Sequence, residues 1–175
     1  MADVMADRYR RWFEYERDSH AQVLAALAGV PAELRGTEGY RKALTLVAHI
    51  CAARRLWLVR FGAVASVPAD FAPRTVADFF PEDVPLADLS AQVEETQAVW
   101  ARFLAGLDDE GLAHVFEYQS TEGPRFRNTI EDILTQLFGH SLYHRGQIAQ
   151  LLRVIGAQPA TTDFVFWARA PVAEG

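Results

Sequence analysis

Cysteine, lysine and uninterrupted apolar sequence are all scarce in this chain, and each scarcity removes a class of protein. Cys51 is the only cysteine among 175 residues, so no internal disulfide can staple the fold and nothing points to an oxidising compartment. The most apolar long window, residues 43–67, is broken by Arg54, Arg55 and Arg60, charges that are costly inside a bilayer. The opening "MADVMADRYRRW" lacks the apolar stretch of a signal peptide. A cytoplasmic protein without a membrane segment is expected. Lys42 is the only lysine among 17 basic residues, a bias that fits a GC-rich genome better than a function. Acidic residues outnumber basic ones, and a formal charge of −6 argues against a nucleic-acid partner, because phosphate contacts need a basic surface.

What is present is helical periodicity. Half the residues are apolar, and the length suits one domain, residues 1–175, with a core large enough to stand without metals or disulfides. Four stretches carry a helical stripe. The first, about Asp7 to Ala28, uses Tyr9, Trp12, Phe13, Val23, Leu24 and Leu27 and stops at Gly29 and Pro31. The second, about Tyr40 to Phe61, turns Leu46, Ile50, Ala53, Leu56 and Trp57 inward and stops near Gly62. The third runs from about Pro85 to Leu104, and the fourth from about Ile130 to Ile155 with Gly156 closing it. Four prolines in residues 65–85 forbid a long helix there. The segment "HVFEYQSTEGPRFRNT" reads as a small hairpin about Glu122-Gly123-Pro124. The expected fold is all-α: a four-helix bundle with a long crossover between helices 2 and 3, an extended hairpin before helix 4, and an aromatic tail folded back on the body.

Chemistry concentrates in the fourth helix. Ile133, Leu137, His140, His144, Ile148, Leu151 and Ile155 fall three or four apart on one face, with the histidines in the middle. Histidines four apart can aim two ring nitrogens at one ion. His49, on or beside the inward face of the second helix, can bring a third. Three imidazoles without a fourth protein ligand describe an open, catalytic-type site. Cys51, two residues from His49, points to the opposite side of that helix. No Glu-x-x-His pair supports a di-iron carboxylate centre. From spacing alone, a core histidine pair hydrogen-bonded to Tyr143 or to backbone stays equally open.

Other polar residues carry weaker signals. Glu16 and His20 lie four apart near the inward stripe of the first helix, where one of them could support the site or line a substrate pocket, or the two could form an interfacial hydrogen-bonded pair or a solvated edge. His114 should be exposed. Arg145 has two candidate partners, a substrate carboxylate or an acidic residue such as Glu131 or Asp132 on a neighbouring chain. Gly146 costs about 1 kcal/mol relative to alanine inside a helix, which suggests close approach of another group beside the metal. Glu117 and Tyr118 are candidate acid–base groups.

"HSLYHRGQIAQLLRVIG" and "LVAHICAARRLWLVRF" resemble the hallmark segments of the DinB/YfiT-like family of metal-binding four-helix bundles. The resemblance extends to the tail "GAQPATTDFVFW". It implies that His49, His140 and His144 ligate a divalent ion, zinc or nickel. In the first helix, Asp18 stands where one register of the family's tyrosine–tryptophan pattern would place tryptophan. The resemblance further implies a transferase or isomerase that uses a low-molecular-weight thiol, such as mycothiol or bacillithiol, on a small electrophile, and a homodimer built through bundle helices. A metal-dependent hydrolase and a non-catalytic, stress-linked metal-binding bundle are the alternatives.

Overall fold

Each apolar stripe becomes a helix, and each start and stop has a local cause. The computed structural model describes residues 3–64 and 71–172. Its long helices are α1 (Val4–Ala28), α2 (Glu38–Arg60), α3 (Leu86–Ala105) and α5 (Ile130–Val154). A single turn, α4 (Asp109–Leu112), precedes an antiparallel hairpin of β1 (Val115–Gln119) and β2 (Arg125–Thr129), and α6 (Phe164–Ala168) lies in the tail. Among the described residues this hairpin is the only strand structure. The described part of the crossover, from Phe71 onward, holds one 3-10 turn at Ala77–Phe79. Residues 65–70 of the crossover, and positions 1, 2 and 173–175 of the expected domain, lie outside the described residues.

Caps set the ends. Thr37 accepts from the Tyr40 amide at the start of α2, and Thr129 with Asp132 forms a capping box on α5. Gly62 and Gly156 close α2 and α5 in the left-handed region, at φ of 68° and 81°, which a side chain would resist. α1 begins differently, because Asp3 makes no side-chain cap bond. The Asp109 carboxylate, at the start of α4, accepts from the Met5 and Ala6 amides at 3.1 and 2.8 Å. A residue a hundred positions away therefore serves as the N-cap.

Each long helix has two long neighbours: α2 packs on α3 and α5, and α1 packs on the same two. The stripe expected on α2 is displaced. Ile50 and Ala53 are buried, but Leu46, Leu56 and Trp57 are only half-buried, while Val47, Arg54 and Leu58 lie inside. The cause is tertiary: α3 and α5 both press on α2, and the most enclosed line falls between their contacts. Trp57 is covered from outside by the hairpin, edge-on to Tyr118 at 4.9 Å. Arg60 lies over both rings, at 4.6 and 4.7 Å from their centroids, and donates to the Gln119 carbonyl. The tail folds back as expected. Phe164 and Trp167 meet Tyr15 edge-on, and the Trp167 indole donates to Asp18.

The interior is not one apolar mass. One cluster includes Tyr9, Leu58, Trp100, Leu112 and Leu134; a second includes Val23, Leu27, Leu44, Leu89, Ile148 and Leu152. Along α1 and α5 the buried polar residues Glu16, His20, Ser141 and Arg145 fall between these two clusters, and on α2 the buried Arg54 sits at the edge of the first. No helix among the described residues is long and apolar enough to cross a membrane.

The remote cap is testable. Asp109→Ala strips two amides of their acceptor and should lower stability by about 1–2 kcal/mol, read as an earlier urea midpoint at unchanged slope. An unaltered midpoint would show that the α1 terminus does not depend on it.

Candidate metal centre

Three imidazoles converge where α2 meets α5. His49 Nε2 lies 2.9 Å from His140 Nε2, and His144 Nε2 lies 3.1 Å from the same atom. Their potential ligand atoms all fall within 4.8 Å of one another. Helix geometry supplies the pair on α5, since residues four apart stack along one face. The α2–α5 contact supplies the third. His49 and His144 are buried and His140 half-buried.

The outer nitrogens decide what the inner ones can do. His49 Nδ1 donates to the Phe79 carbonyl at 3.1 Å, and His144 Nδ1 donates to Gln147 Oε1 at 2.7 Å. Both rings thus carry their proton on Nδ1 and direct an Nε2 lone pair at His140. His140 Nε2 bears at most one proton and can satisfy only one of them. A cation at the common point satisfies all three, and His140 Nδ1, buried without a partner, would then hold the proton. Tetrahedral zinc with nitrogen ligands needs N···N separations of about 3.3 Å; the two separations that involve His140, 2.9 and 3.1 Å, are within a few tenths of an ångström of that value, and the widest spread of ligand atoms, 4.8 Å, would have to close. The donor set fits a divalent ion. The alternative of a pair bonded to Tyr143 is removed, because Tyr143 is 65% exposed and His144 bonds to Gln147.

Burial pushes the His140 pKa down to about 4, aided by His144, His49 and Arg54. Burial also lowers His49, with His144 adding to the effect and the bond to Phe79 opposing it. Neutral imidazole is the metal-binding form. The crossover contributes a flat contact, with the Phe80 ring stacked on His49 at 4.3 Å and 10°.

Directly inside this centre sits a buried ion cluster. Glu16 on α1 receives Arg54 of α2 through Oε2 and Arg145 of α5 through Oε1, the latter at 3.4 Å. Arg145 also donates to the Tyr15 hydroxyl at 2.8 Å. Gln97 bridges Arg54 and His20. Burial pushes the Glu16 carboxyl up, and the two guanidiniums work against that push. His20 is held well below its ordinary value by burial and then by the same two arginines.

These contacts settle several sequence expectations. Arg145 pairs within its own chain, with Glu16 rather than with Glu131 or Asp132 of a neighbour. Glu16 and His20 join the buried network. A Cβ on Gly146 would meet nothing within 4 Å, so the close approach expected there is absent and nothing in the structure explains this glycine. His114 is exposed. Glu117 pairs with Arg125 and Tyr118 with Asn128 across the hairpin. Cys51 faces α3, with its sulfur 3.1 Å from Thr96 Oγ1. Sequence reasoning missed the supports of the ring nitrogens. Gln147, three residues beyond His144, was readable from spacing; Phe79 and Phe80 were not.

Removing the shared carboxylate should be severe. Glu16→Ala leaves two buried guanidiniums unpaired and should cost about 3–5 kcal/mol, whereas replacing Glu16, Arg54 and Arg145 together by Met, Met and Leu should cost far less; urea unfolding separates these outcomes. The metal-free protein should also respond to acid. His140 stays neutral in the fold to about pH 4 but protonates near 6.5 when unfolded. Its contribution is complete above about 6.5 and declines as pH falls toward 4, because the unfolded chain then binds more protons. Glu16 acts in the opposite sense, so the check is the loss of slope in His140→Gln relative to the parent. Parallel curves would contradict the assignment.

Comparison with known proteins places this arrangement. The DinB family model matches residues 1–172, a span that takes in all four long helices and the three histidines. No curated protein and no solved structure gives a match. With nearly its whole length matched, the chain belongs to the DinB family.

Proposed function

We propose that this protein is a divalent-metal-dependent enzyme, a four-helix bundle of the DinB type in which His49, His140 and His144 hold one zinc or nickel ion, and that it joins a small thiol to a small electrophile. The observation that carries this reading is the convergence of three Nε2 atoms, two of them with their tautomer set by an oxygen acceptor on Nδ1. An ion held by neutral imidazoles supplies Lewis acidity that lowers the pKa of a bound thiol or water.

The protein's own residues prepare the rest. Phe79 and Gln147 orient two rings, and Phe80 braces His49 from the side. Cys51 is unsuited to be the nucleophile. Its thiol is buried against Thr96, and burial pushes its pKa up. A thiol nucleophile therefore has to arrive as a cosubstrate. Its proton leaves to solvent, a sulfur–carbon bond forms at the electrophile, and the electrophile's π electrons or leaving group accept the displaced pair.

Metal analysis should find one divalent ion per chain. Alanine at His49, His140 or His144 should lower affinity at least about 10–100-fold, the range seen when even supporting residues are lost, while His114→Ala should leave it unchanged. In cobalt-substituted protein a small thiol should shift the visible spectrum, and His49→Ala should abolish the shift. Turnover of a model electrophile should need both thiol and metal. Full activity after complete metal removal would sink the proposal.

A further inference from the structure

A groove of about 440 Å³ lies on the α2–α5 seam, one helical turn from the three imidazoles. It is lined by Lys42, Thr45 and Leu46 of α2, Gln147, Gln150 and Leu151 of α5, and Phe80 of the crossover. The spacing that carries the histidines carries the groove. On α2, Lys42, Thr45 or Leu46, and His49 follow one another at intervals of three or four. On α5 the line runs His140, His144, Gln147, Leu151, at intervals of four, three and four. Groove and centre therefore share one stripe on each helix. Two side chains mark the junction: Phe80 stacks on His49, and Gln147 bonds to His144.

The lining specifies an occupant. Leu46, Leu151 and Phe80 offer apolar surface, and the single charged side chain in the lining is Lys42. Its ammonium is engaged by Glu38 at 2.6 Å, so the charge is already answered within the protein. The volume falls within the range of small-molecule sites, roughly 300–1,000 Å³, and is too small for a partner helix. We infer that this groove holds the uncharged, apolar body of a small organic molecule whose polar head reaches the three-histidine centre. The inference rests on the metal-site reading and names the class of compound that site accepts: an alkyl or aryl compound with a metal-binding head, rather than a highly polar metabolite.

The test is a chain-length series on full-length, cobalt-substituted protein, with n-alkyl thiols and, separately, n-alkyl hydroxamates from ethyl to hexyl titrated against the visible spectrum. Each added methylene buried in the groove should tighten binding about fourfold, the equivalent of roughly 0.8 kcal/mol. Leu46→Asp should keep its metal and lose that gain. Gln150→Trp, at an exposed position where the indole can fill the groove, should lose it for the longer chains even if Leu46→Asp folds poorly. If thiols bind without any gain and hydroxamates show none, the groove assignment fails while the thiol reading stands. A gain with hydroxamates but no response to thiols would uphold the groove and sink the thiol reading. Absence of any response in both series would overturn both.

Discussion

One buried carboxylate answers two buried arginines, and much of this architecture follows from that imbalance. Glu16 reaches from α1 to Arg54 on α2 and Arg145 on α5, so a single side chain joins three helices. Desolvating three charges is expensive, and attraction offsets the expense only when every partner is in place. Such a cluster is a poor source of stability but a demanding constraint on register. Sliding α5 by a turn would leave Arg145 buried without its carboxylate. Arg145 adjoins His144 in sequence, so the contact that fixes the helix also fixes the ligand pair. The requirement for paired charge inside the protein thus becomes a requirement on ring positions at its edge.

The same cluster explains why the apolar core is divided. One cluster, with Tyr9, Leu58, Trp100 and Ile133, fills the protein on one side of the polar layer, and the other, with Val23, Tyr40, Leu89 and Ile148, fills it on the other. Each cluster can be well packed without help from its counterpart. Between them, Gln97, His20 and Tyr15 extend the ion pairs into a network, in which each member is worth more when the others are satisfied. The three-histidine centre lies at the outer margin of this layer. There burial holds His49 and His140 below the ordinary imidazole range, while His140 stays half-buried.

The crossover completes the centre from outside. Phe79 offers a backbone carbonyl and Phe80 a ring face to His49, although neither belongs to a long helix. In its described part Pro73, Pro81 and Pro85 stand against an α-helix, and the segment forms only the 3-10 turn at Ala77–Phe79; that irregularity is useful, since a regular α-helix would have its carbonyl groups engaged internally. On the other ligand, Gln147 acts through helix spacing alone. One ring is thus oriented by long-range packing and another by local geometry, and both end in the same tautomer.

Much of this was legible in one dimension. Helix periods, the stops at Gly62 and Gly156, the hairpin about Gly123 and the three histidines all follow from spacing, turn chemistry and residue type, which act over a few residues. The resemblance to the DinB family rests on the same short segments. Tertiary structure decided what periodicity leaves undetermined: the rotation of α2 that hides Val47, Arg54 and Leu58, the capping of α1 by Asp109, and the pairing of Arg145 with Glu16. A stripe of apolar residues says which side of a helix avoids water, but not how two neighbours divide that side between them. A buried charge, likewise, announces that a partner must exist without saying which of several carboxylates folding will bring within reach.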